Sequence, residues 1–270
     1  MIRALSWNLY HGRDFPPDRS LRTLRSRILR IEERNETHLQ VNRDLFGEFA
    51  SVLSRAEWDV ALLQECPPRW TRLLATACAA EPHVSLTSRN SVSGLRAILA
   101  HQNPDLIASG EGGANLTLVR GERIAERGEL EMTRRPERRT MAIARLVSGV
   151  CVANLHASNA APSKTGPEVV EAAERAVEWA KGAPLIFGGD FNLRPDRAPG
   201  VFEELESRLG LRTPTAPDAI DHLLARGLAG GPAVRWRDER REVREDRLAI
   251  RLSDHSPVEA GFEPPPLLDG

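Results

Sequence analysis

Short apolar runs recur along the whole chain, and each is cut off after roughly four to seven residues by glycine, proline, asparagine or aspartate. They fall at 2–5, 60–63, 97–100, 116–119, 142–146, 150–155, 185–187, 220–224 and 257–262. A chain built of such pieces folds around β-sheets, because the runs are too short to be helices of a bundle. Helical periodicity lies between some of them. In 18–55, Leu21, Leu24, Ile28 and Ile31 repeat at three- and four-residue spacing, as do Leu45, Phe49, Val52 and Leu53. Asn35 or Thr37 is placed to cap the second of two helices there. Further helices are predicted over 69–78 and over 167–180, the latter with Pro167 in its first turn and Gly182 after its end. Strands with interspersed helices, without strict alternation, imply an α/β or α+β sandwich.

Composition narrows the class. The 270 residues, 41% of them hydrophobic, are enough for a substantial core. No repeat or long linker divides them, so residues 1–270 read as a single domain, with a helical insertion at about 13–55 and a Pro-rich tail from about 263. Lys+Arg at 37 against Asp+Glu at 38 leaves a net charge of −1, which argues against a general polyanion-binding coat but not against a local basic patch. Aromatics are only 5%, with Tyr10 the single tyrosine, too few for an extended base-stacking platform. Lys164 and Lys181 are the only lysines, an arginine skew that reflects a GC-rich coding sequence. Cys66, Cys78 and Cys151 form no C-x-x-C pair and imply no disulfide framework; Cys151 reads as a small core residue. No stretch approaches the length of a membrane span, and the N-terminus is too polar by residue 8 for a signal peptide. A cytoplasmic protein without stable membrane association is expected.

Certain polar residues sit where these runs stop. Ser6-Trp7-Asn8, Leu63-Gln64-Glu65, Asn154-Leu155-His156, Gly188-Gly189-Asp190-Phe191-Asn192 and Ser253-Asp254-His255 close or follow apolar runs, and Ile220-Asp221-His222 opens one. Their recurrence implies a common rim where strand ends gather. Glu65, Asp190 and Asp254 offer hard anionic oxygens suited to Mg²⁺ or Mn²⁺, and no His/Cys cluster has zinc spacing. Asn8 and Asn192 add neutral amides; His156 and His255 can bond a phosphoryl oxygen or relay protons. In an extended segment Asp190 and Asn192 share a face while Phe191 points to the core. The glycines at 188 and 189 are expected to admit a close-approaching ligand. His222, alternating with Asp221, faces the other way and reads as packing or surface.

Six pieces, S-W-N at 6–8, Q-E at 64–65, N-L-H-A-S at 154–158, G-D-F-N at 189–192, I-D-H at 220–222 and S-D-H at 253–255, together resemble the endonuclease/exonuclease/phosphatase superfamily, the metal-dependent phosphoesterases of deoxyribonuclease-like fold. They occur in that family's order across nearly the whole chain. The resemblance implies a four-layer α/β/β/α sandwich of two packed mixed β-sheets flanked by helices. It also implies residue roles. Asn8 and Glu65 would form the first metal site, with Glu65 the direct ligand, and Asp254 a further ligand or second-metal position. Asp190 would orient or deprotonate the attacking water, and Asn192 would hold the phosphate or that water. His255, oriented by Asp221, would stabilise the pentacovalent phosphate, and His156 would serve as second imidazole near the phosphate or leaving group. The cofactor implied is Mg²⁺ or Mn²⁺. Without a mid-chain tyrosine the chain departs from the abasic-site endonucleases, and His156-Ala157-Ser158 followed by a helix is closer to the tyrosyl-DNA phosphodiesterase and sphingomyelinase branches. Glu111 is the candidate support for the first histidine.

Other residues keep two readings. His11 either reaches a phosphate or belongs to a loop with Tyr10. Arg134, Arg135, Arg138 and Arg139 form either a solvated turn or a phosphate contact. Residues 235–251, alternating in charge, read as a solvated loop or hairpin; Arg19, Arg22, Arg25, Arg27 and Arg30 read as solvated, and Trp58 and Trp179 as core. The expected function is hydrolysis of a phosphodiester by in-line attack of activated water, with nucleic acid as substrate and no protein partner. Phosphatase or phospholipid-type phosphodiesterase action at the same site is the alternative, and a non-catalytic binding module the remote one.

Overall fold

The structure is a computed structural model that describes residues 1–29, 31–87, 113–133 and 139–263. The sequence-predicted strand at 97–100, Glu111, Arg134, Arg135, Arg138 and the Pro-rich tail lie outside the described residues. The chain begins with β1 (Ile2–Asn8), α1 (Leu24–Leu29), the short pair β2 (Glu33–Arg34) and β3 (Leu39–Gln40), and α2 (Phe46–Arg55). Next come β4 (Val60–Cys66), α3 (Thr71–Ala77), β5 (Glu81–Leu86), β6 (Ala114–Val119), β7 (Ile124–Thr133), β8 (Arg139–Leu146) and β9 (Cys151–His156). The last third holds α4 (Pro162–Ala180), β10 (Leu185–Asp190), α5 (Pro199–Ser207), β11 (Asp221–Arg226), β12 (Ala229–Gly230), β13 (Val234–Arg235), β14 (Glu242–Glu245), β15 (Leu248–Arg251) and β16 (Val258–Glu263).

The strands form two mixed sheets. One has the order β12-β16-β1-β4-β6-β5, with β13 also on β16; the other has the order β11-β10-β9-β8-β7. Within each sheet one pair is parallel, β1 with β4 and β9 with β10. Period-two alternation then sorts side chains into layers. Val60 and Leu62 join Val152, Ile186 and Leu223 between the sheets. Ala61 and Leu63 face out against Phe49 and Leu53 of α2 and Leu74 of α3. Leu185 and Phe187 face out against Val169, Ala173 and Ala176 of α4. These three apolar layers make the expected four-layer α/β/β/α sandwich.

Several local expectations are corrected. Within 18–55 the first predicted helix shrinks to a single 3-10 turn and six-residue α1, and only the start of its apolar stripe is buried: Leu21 is 4% exposed, but Leu24 and Ile28 are 67% and 57% exposed. Asn35 caps no helix, because its Oδ1 accepts the N–H groups of Thr37 and His38 and closes the β2–β3 turn. The segment at 13–55 is therefore mixed, and α2 alone carries its buried helical face. Helix α4 begins at Pro162, which supplies the N-terminal proline, so Pro167 lies inside it. Strands β5 and β7 are sheet edges; Pro82, Gly128 and the charges at 126, 127, 129 and 131 hide them from an apolar-run reading. Residues 242–251 form the hairpin alternative, with Trp236, Arg241 and Ile250 buried rather than solvated. Trp58 is core, whereas Trp179 is half-buried with Arg145 over its ring at 5.2 Å. No helix among the described residues is long and apolar enough to cross a membrane.

The glycines at 188 and 189 serve the sheets rather than a ligand. A Cβ on Gly189, at φ +135°, would stand 1.8 Å from the Leu155 carbonyl oxygen of the neighbouring strand, and one on Gly188 would meet Leu223 and the His222 carbonyl. Gly189→Ala is therefore expected to cost more than about 3 kcal/mol or abolish folding. Gly47→Ala, in α2 with open space around its Cα, is expected to stabilise by about 0.5–1 kcal/mol. Urea unfolding of the two variants checks both signs.

Candidate active site

Sheet topology gathers the strand-end residues. Since β1 and β4 run parallel, as do β9 and β10, the ends carrying Asn8, Glu65, His156 and Asp190 lie on one side of the sandwich. Strand β11 is antiparallel to β10 and starts there, with Asp221 opposite Asp190. Strand β16 is antiparallel to β1, with Val258 opposite Ser6, so the preceding turn with Asp254 and His255 falls beside the end of β1.

Asp190 stands at the centre and is 1% exposed. Its Oδ2 accepts from Asn8 Nδ2 at 3.0 Å and its Oδ1 from the Asn192 N–H at 3.0 Å. The Nε2 atoms of His156 and His255 lie 3.6 and 3.8 Å from Oδ2. His255 Nδ1 is 2.9 Å from Asp221 Oδ2, which sets its tautomer and points Nε2 at the centre. Glu65 lies 3.7 Å from His156 Nε2 through Oε1 and 3.1 Å from His11 Nε2 through Oε2. Asp254 Oδ1 is 3.9 Å from His255 Nε2. Asn192 Nδ2 donates to the Ala157 carbonyl at 3.0 Å. His222 points away, buried between Phe191 and Phe202 and 3.0 Å from the Leu193 carbonyl through Nε2.

The backbone is strained where it delivers these groups. Among the described residues, Tyr10, His11, Glu65, Asn192 and Ser253 are at the site and have φ between 47° and 60°. At Glu65 this coincides with a register shift between β4 and β6, which turns its side chain out of the pleat. At Ser253 the side chain compensates: Oγ donates to the Asn8 carbonyl at 2.6 Å and accepts the His255 N–H at 3.0 Å.

Burial and charge divide the titrations. Burial disfavours the His255 imidazolium, but the Asp221 and Asp190 carboxylates outweigh it and hold its pKa well above the ordinary value. His156 goes the other way, pushed down to about 3 by burial despite Glu65, so it is a neutral imidazole. Burial raises the Asp190 carboxyl, with Asp221 adding to it and His255 opposing. For Glu65, burial is outweighed by the charge of His11, 3.1 Å away, and by the Asn8 hydrogen bond, and its pKa is lowered. Asp254 is raised by burial and then by Glu65.

Two groups of donors fit a cation. Asp190, Asp221 and His255 place one ligand atom each within 4.8 Å of one another. The Asp221–His255 hydrogen bond already neutralises that pair, however, and occupies Nδ1. Glu65 and Asp254 instead repel each other, and with the Asn8 amide they present the hard oxygens that Mg²⁺ or Mn²⁺ takes. Three further contacts escaped sequence reasoning. Trp7 Nε1 donates to the His255 carbonyl at 3.0 Å, Arg139 Nη1 lies 3.4 Å from His156 Nδ1, and His11 reaches Glu65. Only the positions of Trp7 and His11 next to Asn8, and of Arg139 in a basic cluster, hinted at them.

The sequence profile described as "Endonuclease/Exonuclease/phosphatase family" matches residues 5–255. No curated protein matches at a significant level. Among solved structures, an endonuclease/exonuclease/phosphatase family protein from Bacteroides thetaiotaomicron superposes with TM-score 0.62 at 15% identity, covering 97% of this chain and 94% of that one. A mannosyl-6-phosphatase from the same species gives 0.62 at 14% identity over 97% and 99%. Truncated Caenorhabditis elegans TDP2 gives 0.56 at 15% identity over 97% of each chain. These likenesses concern the fold.

If Asp221 holds the charge on His255, Asp221→Asn keeps an acceptor but removes the negative charge. In metal-free protein the His255 imidazole, followed by NMR over a pH series, is expected to titrate at lower pH in the variant than in the wild type. An unmoved midpoint is the contrary result.

Proposed function

Because the chain belongs to the Endonuclease/Exonuclease/phosphatase family, a family of phosphoester hydrolases, we propose that it hydrolyses phosphodiester bonds in nucleic acid by in-line attack of water with a divalent cation as cofactor. The observation that carries this reading is the position of Asp190, held by Asn8 and Asn192 and facing two imidazoles in opposite protonation states.

A water beside Asp190 Oδ2 gives up its proton to that carboxylate as its oxygen bonds to phosphorus. The raised pKa makes Asp190 a stronger base than an exposed aspartate. The two hydrogen bonds to its carboxylate fix the direction of attack. The His255 imidazolium faces the phosphoryl oxygens and offsets charge that grows as the phosphorus becomes five-coordinate. Neutral His156, whose Nδ1 accepts from Arg139, carries its proton on Nε2 and donates a hydrogen bond near the phosphate or the departing oxygen. The Asn192 amide positions the phosphate. The bond from phosphorus to the leaving oxygen then breaks, the leaving oxygen takes a proton from solvent and Asp190 returns its proton to solvent, giving an alcohol and a phosphomonoester. Glu65, Asn8 and Asp254 would hold Mg²⁺ or Mn²⁺, whose chemistry is Lewis-acid polarisation of a phosphoryl oxygen.

The likeness to TDP2 supports a nucleic-acid phosphodiester. A second reading, a sugar phosphomonoester, draws on the higher TM-score of the mannosyl-6-phosphatase and needs no basic groove, in keeping with the net charge of −1. A hydrolysis panel separates them: single- and double-stranded DNA, RNA, a 5′-phosphotyrosyl oligonucleotide, sphingomyelin and mannose 6-phosphate, each with Mg²⁺ or Mn²⁺. Turnover is expected on the nucleic-acid substrates and is lost on chelation. Asp190→Asn is expected to lower kcat by about 10³-fold and His255→Ala by about 10²–10³-fold. Turnover that survives chelation, or that persists in Asp190→Asn, overturns the reading.

A further inference from the structure

The charged stretch at 235–251 holds a buried guanidinium that the chemistry above does not use. Arg241, 5% exposed, ends the 3-10 turn Asp238–Arg241. Its Nη1 donates to the carbonyls of Leu252 at 2.7 Å and Ser253 at 2.5 Å. Its Nε and Nη2 donate to Asp238 Oδ1 at 3.2 and 2.7 Å. The Arg241 carbonyl accepts the Leu252 N–H at 3.1 Å. Asp238 Oδ1 also accepts from Ser256 Oγ at 3.3 Å, and its Oδ2 pairs with Arg251 Nη1 at 2.9 Å.

We propose that Arg241 and Asp238 act as a clamp that positions the turn carrying Asp254 and His255. Arg241 grips the two carbonyls before Asp254, and Asp238 grips the serine after His255. The inference rests on the role proposed above for His255. A guanidinium is expensive to bury, and an apolar side chain would fill the same space. What the arginine adds is a planar fork that satisfies two successive carbonyls and a carboxylate at once, which lysine cannot match. The turn needs such support. Ser253 is held at φ 60°, and its carbonyl and that of Leu252 must find donors. Relaxation here would swing His255 Nδ1 away from Asp221 and Nε2 away from the centre, and a misplacement of about 1 Å costs on the order of 100-fold in rate. Arg241 touches no reacting atom, so it is a positioning residue.

Trp7 offers a readout independent of turnover, because its indole N–H bonds the His255 carbonyl, whereas that of Trp58 bonds the distant Leu53 carbonyl. The test compares full-length wild type with Arg241→Met, Arg241→Lys and, as control, Arg240→Met, whose exposed arginine pairs with Glu259. Indole ¹H–¹⁵N spectra are recorded, along with steady-state kinetics on bis(4-nitrophenyl) phosphate with Mn²⁺. In Arg241→Met the Trp7 signal is expected to move while that of Trp58 stays, and kcat to fall about 100-fold with KM within about threefold. Arg241→Lys should recover part of kcat, and Arg240→Met should match wild type. A folded Arg241→Met with unmoved Trp7 signal and unchanged kcat, or with a change in KM alone, overturns the clamp. If Arg241→Met does not fold, Asp238→Asn takes its place; a Trp7 signal that stays put there overturns the proposal and one that moves supports it. Should the wild type fail to turn over the probe, the hydrolytic reading of the site is what falls, and the Trp7 signal still decides the clamp.

Discussion

The two sheets are held in register by buried hydrogen bonds between side chains, at their centre the one from Gln64 Nε2 on β4 to Asn154 Oδ1 on β9 at 2.8 Å, flanked by Ser85 Oγ to Thr140 Oγ1 at 2.7 Å and Asn8 Nδ2 to Asp190 Oδ2 at 3.0 Å. Most of the layer between the sheets is apolar, and apolar contact is non-directional, so it would tolerate a slide of one sheet over the other. A hydrogen bond with both partners fully buried does not. Its other valences are filled too. Asn154 Nδ2 donates to the Leu63 and Leu116 carbonyls, and Gln64 Nε2 reaches the Leu62 carbonyl and Ser6 Oγ. Glu65 follows Gln64, and His156 lies two residues beyond Asn154 on the same face of β9. Locking the first pair therefore fixes the second, and the 3.7 Å separation of Glu65 from His156 across two sheets depends on it.

Above that lock the backbone is strained at several positions. Left-handed residues cluster at the rim, and carboxylates and imidazoles are buried within 4 Å of one another. Each strained residue costs on the order of 1–3 kcal/mol, and the well-packed layers below absorb that cost. The gain is electrostatic. In a poorly solvated site, Asp221 keeps one imidazole charged while burial keeps the other neutral, so residues of the same type acquire different capacities.

The fold was legible to the extent that each strand carried its own signal. Val60–Cys66, Cys151–His156 and Leu185–Asp190 are apolar on both faces because both faces are covered, and such runs are visible without any partner. The edge strands Glu81–Leu86 and Ile124–Thr133 bury less and carry proline, glycine and charge, so no local pattern marked them. The failure at Leu24–Leu29 runs the opposite way. Its apolar spacing resembled a core-facing helix, yet the Asn35 turn and the Thr23 hydroxyl, which accepts the Ser26 N–H, close the segment locally, and nothing packs on that face among the described residues.

The sequence by itself determined which chemical groups stand at the strand ends, because those residues interrupt apolar runs and residue type sets what each group can bind. The apolar runs also determined a sandwich of sheets and helices, and the order of the strand-end motifs, through the family they resemble, implied its four layers. Tertiary structure alone decided how the groups meet. That Asp190 faces both imidazoles, that Asp221 turns toward His255 while His222 turns into the core, and that Arg241 leaves solvent to hold the 252–256 turn are consequences of register, bulge and burial. These couple residues as far apart in the chain as Trp7 and His255. Such couplings are not encoded in any short window, since each requires two segments to be brought together before its energy exists.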